Sequence, residues 1–136
     1  MVSVPPEENV FDIELGARGR CAVVRVRGEL DWAASPSLRI VVEQLRGLLG
    51  GGCLILDFTA LTFCDSTAIG TLAMARHECR EHGIRLVLTA LPVFLRRMLT
   101  TTGLISVFEV RETLESALDE VDGWDSDGRA PAFSDA

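Results

Sequence analysis

Residues 53–58 read C-L-I-L-D-F. The run is almost wholly apolar, and it is too short for a helix. Continuous rather than alternating apolarity marks a strand covered on both faces. Gly50-Gly51-Gly52 stands directly before it and stops a helical pattern. In that pattern Leu38, Val41, Val42, Leu45 and Leu49 recur at helical spacing, with Arg39, Glu43 and Arg46 on the opposite face. Ser35-Pro36 opens it as an N-cap with proline at the first helical position. A covered strand with helical segments on both sides of it in the chain is the centre of an α/β sheet.

Upstream, V-F-D-I-E-L at 10–15 and C-A-V-V-R-V-R at 21–27 alternate, with G-A-R-G-R as the turn between them. These segments predict an antiparallel hairpin with one solvated face. Downstream, a helix runs from about Ser66 to His82, with Gly83 in the left-handed position after it. R-L-V-L-T-A-L at 85–91 is a second buried strand. Pro92 opens a third helix through Leu99, S-V-F-E-V at 106–110 is a last strand, and Glu112 to about Val121 forms a last helix. The order β-β-α-β-α-β-α-β-α predicts a single α/β domain over residues 10–121. Its mixed sheet has about five strands, packed with about four helices. Residues 1–9 read as an N-terminal extension. Residues 122–136 carry four aspartates and one arginine among Gly, Pro and Ser, and they read as a mobile acidic tail.

The chain has 136 residues, 48% of them hydrophobic, and a formal net charge of −7. That supports one core of ordinary size and argues against a surface built on nucleic-acid phosphates. No basic start followed by an apolar stretch occurs at residues 1–9, and no apolar run approaches the ~20 residues needed to span a bilayer. The expectation is a soluble, cytoplasmic protein with no membrane or nucleic-acid partner. Cys21, Cys53, Cys64 and Cys79 lie within or beside apolar runs and form no C-x-x-C pair, so they read as buried, reduced thiols.

Turnover chemistry finds no support. His77 and Cys79 point to different faces of a helix, which disfavours a metal site. G-x-S-x-G is absent, and Ser66 stands eleven residues, or about 16 Å of helix, from His77. G-x-G-x-x-G and G-x-x-x-x-G-K are absent as well. The reading is a protein without cofactor or catalytic residues.

One stretch remains. In F-C-D-S-T-A-I-G, residues 63–70, Asp65, Ser66 and Thr67 sit where a strand gives way to a helix. A cap needs one side chain, and here three candidates stand together. A βα loop lies at the carboxyl edge of the sheet, where α/β folds place their sites. Asp31, after the hairpin strand, can approach Asp65 if the two strands are neighbours.

Three segments together resemble the STAS domain of bacterial anti-anti-sigma factors, also called anti-sigma factor antagonists. R-G-E-L-D-W-A-A-S-P-S-L-R, residues 27–39, is similar to the family's turn into its first helix. L-I-L-D-F-T-A-L-T-F-C-D-S-T-A-I-G, residues 54–70, is similar to its strand, loop and phosphorylation motif D-S-[ST]-G-[LI]. T-T-G-L-I-S-V-F, residues 101–108, is similar to a segment near the domain's end. The resemblance covers about residues 10–121 and implies transcription regulation by partner switching. The unphosphorylated protein would bind an anti-sigma factor that is also a serine kinase and thereby free the sigma factor. Phosphorylation would release it, and a PP2C-type phosphatase would restore it. By position the phosphorylated residue is Ser66, with Thr67 as the alternative. The implied partner surface comprises Asp31, Trp32, Asp65, Ser66, Thr67, Ile69 and Gly70, on a protein that is a monomer when free. Trp32 reads equally as an exposed anchor or a core residue. Ala68 departs from the motif's glycine. Alanine suits a helix better and leaves less room for a partner's backbone to approach. The alternative function is an unmodified STAS binding subunit of a larger signalling scaffold or lipid-transport assembly.

Overall fold

The computed structural model describes residues 11–121. The expectations for residues 1–9 and 122–136 fall outside them. Strands β1 (Phe11–Arg18) and β2 (Cys21–Leu30) form the hairpin, antiparallel as expected. Then follow α1 (Ser35–Leu49), β3 (Cys53–Asp57), β4 (Leu61–Cys64), α2 (Thr67–Glu81), β5 (Arg85–Thr89), α3 (Val93–Thr101), β6 (Glu109–Arg111) and α4 (Leu114–Val121). The sheet runs β1-β2-β3-β5-β6, and β4 pairs with β2. Every pairing except β1 with β2 is parallel.

All five residues of β3 are buried, as a covered central strand requires. On one face, Leu38 and Val42 of α1, Leu72 and Ala75 of α2, and Leu95 and Leu99 of α3 share a core with Val24, Leu54, Leu56 and Leu88 of the sheet. On the other face, Ala117 and Val121 of α4 cover Cys21, Val23, Cys53, Ile55 and Val87. The side chain of Asp57 is buried too, and its Oδ1 accepts from the Thr89 hydroxyl at 2.7 Å and the Thr59 hydroxyl at 3.0 Å.

Four details depart from the sequence reading. Residues 61–64, expected as part of a loop, form a sixth strand. Residues 104–107 form a 3-10 turn, so the last strand starts only at Glu109. Ser35 does not cap α1 but lies within it, and its hydroxyl donates to the Asp31 carbonyl at 2.9 Å. Lastly, Cys21 and Cys53 are joined by a disulfide, while Cys64 and Cys79 are free and buried. Parallel register sets Cys21 and Cys53 side by side, with Cα atoms 4.4 Å apart. That distance lies at the short end of the usual disulfide range.

The sixth strand positions the functional edge. β2 pairs with β3 through Arg25, then shifts register between Gly28 and Glu29 and pairs with β4 through Leu30. Gly28 has φ +87°, a conformation that disfavours any side chain, and its N–H donates to the Ala60 carbonyl at 3.0 Å. The bulge carries β2 onward beside β4. The loops leaving the two strands, 31–34 and 65–66, therefore emerge as neighbours.

Candidate functional site

The two loops are stitched together by backbone and carboxylate. Asp65 N–H donates to the Leu30 carbonyl at 3.3 Å, and Trp32 N–H donates to Asp65 Oδ2 at 3.0 Å. Asp65 Oδ1 accepts from Thr67 N–H at 2.9 Å and from the Thr67 hydroxyl. Asp65 is therefore the side-chain cap of α2, satisfying a backbone donor of the first turn. These bonds, the Thr67 hydroxyl foremost, hold the Asp65 carboxyl below the usual carboxylate range. Asp31 does the corresponding work one loop earlier. Its Oδ1 accepts from Ala33 N–H and Ala34 N–H, each at 3.0 Å. The expected approach of Asp31 to Asp65 thus takes another form. Each carboxylate serves a turn, and only Asp65 reaches across to the other loop.

The adjacent hydroxyls divide in the same way. The Thr67 hydroxyl lies 3.1 Å from the Ser35 hydroxyl and donates to Asp65. Both hydroxyl protons are thereby committed, Ser35's to the Asp31 carbonyl and Thr67's to Asp65, so the 3.1 Å approach is a polar contact and not a third donated bond. Thr67 is held from two sides. Ser66 is exposed, and among the described residues its hydroxyl makes no hydrogen bond. Its backbone is already helical, at φ −66° and ψ −16°, which aims the side chain away from the first-turn N–H groups. Ser66 is thus presented rather than used.

The remaining expected residues frame this hydroxyl. Trp32 is 73% exposed, which decides against its reading as a core residue. Ile69 is half-buried and Gly70 is exposed. A Cβ built at Gly70 meets nothing within 4 Å, so no packing within the chain requires glycine there. Ala68 is 0% exposed, so its methyl group lies in the core and cannot obstruct a partner. Both histidines, His77 and His82, are exposed, and the described residues contain no cluster able to hold a metal ion.

The structure also brings exposed apolar residues to this edge that the sequence reading passed over. Phe63 at the end of β4 and Val93 and Phe94 at the start of α3 are 48%, 65% and 36% exposed, on elements that pack together. A signal existed for two of them. Val93 and Phe94 fall off the Leu95–Leu99 stripe that α3 buries.

The edge can offer a hydroxyl and an apolar rim to another macromolecule. Among the described residues no side chain accepts a hydrogen bond from the Ser66 hydroxyl. No helix among the described residues is long and apolar enough to cross a membrane.

Known proteins share this domain and fold. The family model for the STAS domain matches residues 12–117. A Mycobacterium tuberculosis protein described as a candidate anti-anti-sigma factor is 31% identical over 101 residues, 74% of this chain and 68% of that one. The anti-sigma-B factor antagonist of Listeria monocytogenes is 30% identical over 86 residues, 63% of this chain and 75% of that one. Among solved structures, the Bacillus cell fate determinant SpoIIAA in its phosphorylated form superposes with a TM-score of 0.66 at 25% identity. That match covers 82% of this chain and 99% of SpoIIAA's.

Proposed function

Because the chain belongs to the STAS domain family, we propose that it is an anti-sigma factor antagonist switched by phosphorylation of Ser66. Unphosphorylated, it binds a cytoplasmic anti-sigma factor that is also a serine kinase, and the sigma factor is freed. Phosphorylated, it lets go until a PP2C-type phosphatase removes the group. The observation that carries this reading is the division between neighbouring hydroxyls. Thr67 donates to Asp65 and lies 3.1 Å from the Ser35 hydroxyl, while Ser66 is exposed and its hydroxyl makes no hydrogen bond among the described residues.

The physics suits a switch. A phosphoryl group adds about −1.5 to −2 charges. At the mouth of α2 the positive end of the helix dipole tolerates an anion, and the first-turn N–H groups of Thr67, Ala68 and Ile69 keep their own partners. The fold therefore survives modification. The same charge beside Asp65, on the face around Trp32, adds to a like charge and resists burial against a partner. Moving a partner equilibrium from 99:1 to 1:99 takes about 5.5 kcal/mol.

A pull-down from native lysate tests the reading. Wild type and Ser66→Ala retain a common kinase-type partner, Ser66→Asp loses it, and mass spectrometry finds phosphate on Ser66 of the wild type. Equal retention by Ser66→Asp and Ser66→Ala refutes the switch. Phosphate transfer to Ser66→Ala at an undiminished rate would move the acceptor to Thr67.

A further inference from the structure

A groove lies at the far end of α2, between its last turns and the β5–β6 edge of the sheet. It exists because β6 is short. β6 pairs only with Val87–Thr89, so Arg85 and Leu86 have no strand beyond them on that side. The space left encloses about 300 Å³, the lower end of the range for small-molecule sites. Its apolar lining includes Ile84, Leu86, Val107 and Phe108.

The rim is basic. Arg76 and Arg80 are four residues apart on α2 and so project from one face of the helix. Arg76 Nε donates to the Val107 carbonyl at 3.2 Å, which fixes its guanidinium at the mouth. No carboxylate among the described residues pairs with either arginine. The acid of the groove, Glu109, is bound by Arg85 at 2.8 Å. The C-terminal dipole of α2 favours a cation at Arg80 but fades before Arg76, a turn earlier. Like charges at this spacing repel, and in a chain of net charge −7 a carboxylate could readily have been placed beside them. An arginine fork above an apolar floor matches an anionic oxygen group on an apolar body.

We propose that this groove binds a small anion, a carboxylate or phosphate monoester carried on a compact apolar group. The site is independent of Ser66, which stands at the opposite end of α2. Fourteen residues of helix, about 21 Å, separate Ser66 from Arg80.

Titration of the isotopically labelled full chain, followed by amide NMR shifts, tests the proposal with four probes: benzoate, phenyl phosphate, inorganic phosphate and benzylamine. Saturable shifts at Ile84, Val107 and Phe108 are expected with benzoate or phenyl phosphate. The tighter of the two names the headgroup. Inorganic phosphate should bind at least about tenfold more weakly, because it leaves the apolar floor unfilled. Arg80→Gln should weaken binding about tenfold, as the loss of a charge-assisted bond requires. Among the described residues the Arg80 side chain is exposed and makes no hydrogen bond or ion pair. Arg39→Gln, an exposed arginine of α1, should change nothing. Three results would overturn the site: no saturable shift up to about 10 mM, a range that extends well past millimolar affinity; equal binding by Arg80→Gln; or equal binding of benzylamine.

Discussion

Ser66 and Thr67 are adjacent hydroxyl residues, and removing each hydroxyl should give opposite results. Ser66→Ala deletes a group that makes no hydrogen bond among the described residues. Alanine is also the better helix former by a few tenths of a kcal/mol. Stability should change by no more than about 0.5 kcal/mol, in either direction. Thr67→Val keeps the branched shape and removes the hydroxyl's bond to the Asp65 carboxylate, with its 3.1 Å polar contact to the Ser35 hydroxyl. A neutral hydrogen bond contributes about 0.5–1.5 kcal/mol and one to a charged group more. Because Thr67 is exposed, the low end applies, and about 1–2 kcal/mol is expected in total. For a domain of this size each kcal/mol moves the melting point by roughly 3–5 °C.

Thermal melts of the two variants therefore separate by several degrees, with Ser66→Ala near wild type and Thr67→Val below it. Urea titrations with unchanged m-values should give the same ranking. If Ser66→Ala lost as much stability as Thr67→Val, the Ser66 hydroxyl would be a structural cap. The argument that it is held ready for a partner would then fail.

Three further outcomes are expected. Native protein under non-reducing conditions should show almost no thiol reactivity, because Cys64 and Cys79 are buried and burial pushes both up to about 11. Unfolded without reductant it should label at two cysteines and with reductant at four, and four without reductant would disprove the Cys21–Cys53 bond. The Asp65 carboxyl is held low, so its contribution is present above the ordinary carboxylate value and is lost as pH falls through its folded value. Asp65→Asn should thus flatten the stability profile below about pH 4, and a variant tracking wild type there would argue against the cap. Ala68→Gly restores the family's motif residue but deletes a buried methyl within a helix, so it should cost about 1–2 kcal/mol. Its phosphorylation rate should match wild type, and a clear rate increase would show that the methyl group does reach the partner.

Much of the architecture was legible because each element carried its own pattern. The unbroken apolar run at 53–58 identified β3, and the alternation at 21–27 identified β2 as a strand. The expected solvated face holds only from Arg25 onward, because Cys21 and Val23 are buried under α4 on that side. Glycines with positive φ at Gly50, Gly83 and Gly103 stand after α1, α2 and α3 respectively, as expected of helix stops. What escaped depends on contacts distant in sequence. β4 is four residues long and half-exposed, too short to show a period, and exists because β2 bulges at Gly28 to meet it. The disulfide joins residues 32 apart through strand register, which spacing alone does not reveal. The D-S-T stretch was legible as a helix mouth. Which of its three side chains caps the helix was not, since the answer turns on Ser66 adopting helical dihedrals while Asp65 bends back to Thr67.

That assignment explains how one loop can carry both a structural and a signalling burden. If Ser66 had capped α2, modifying it would have replaced the capping hydroxyl by a bulkier dianion and forced the first turn to rearrange around it. With Asp65 as the cap and Thr67 clamped to Ser35, the loops at 31–34 and 65–66 stay joined whatever Ser66 carries. Under the switch proposed above, phosphorylation of Ser66 would change the charge of the edge and leave the exposed apolar residues Trp32, Phe63, Val93 and Phe94 as they are. A partner that relies on this apolar rim meets the same contacts in both states. It must desolvate a dianion in only one of them, and the difference between the two states is electrostatic.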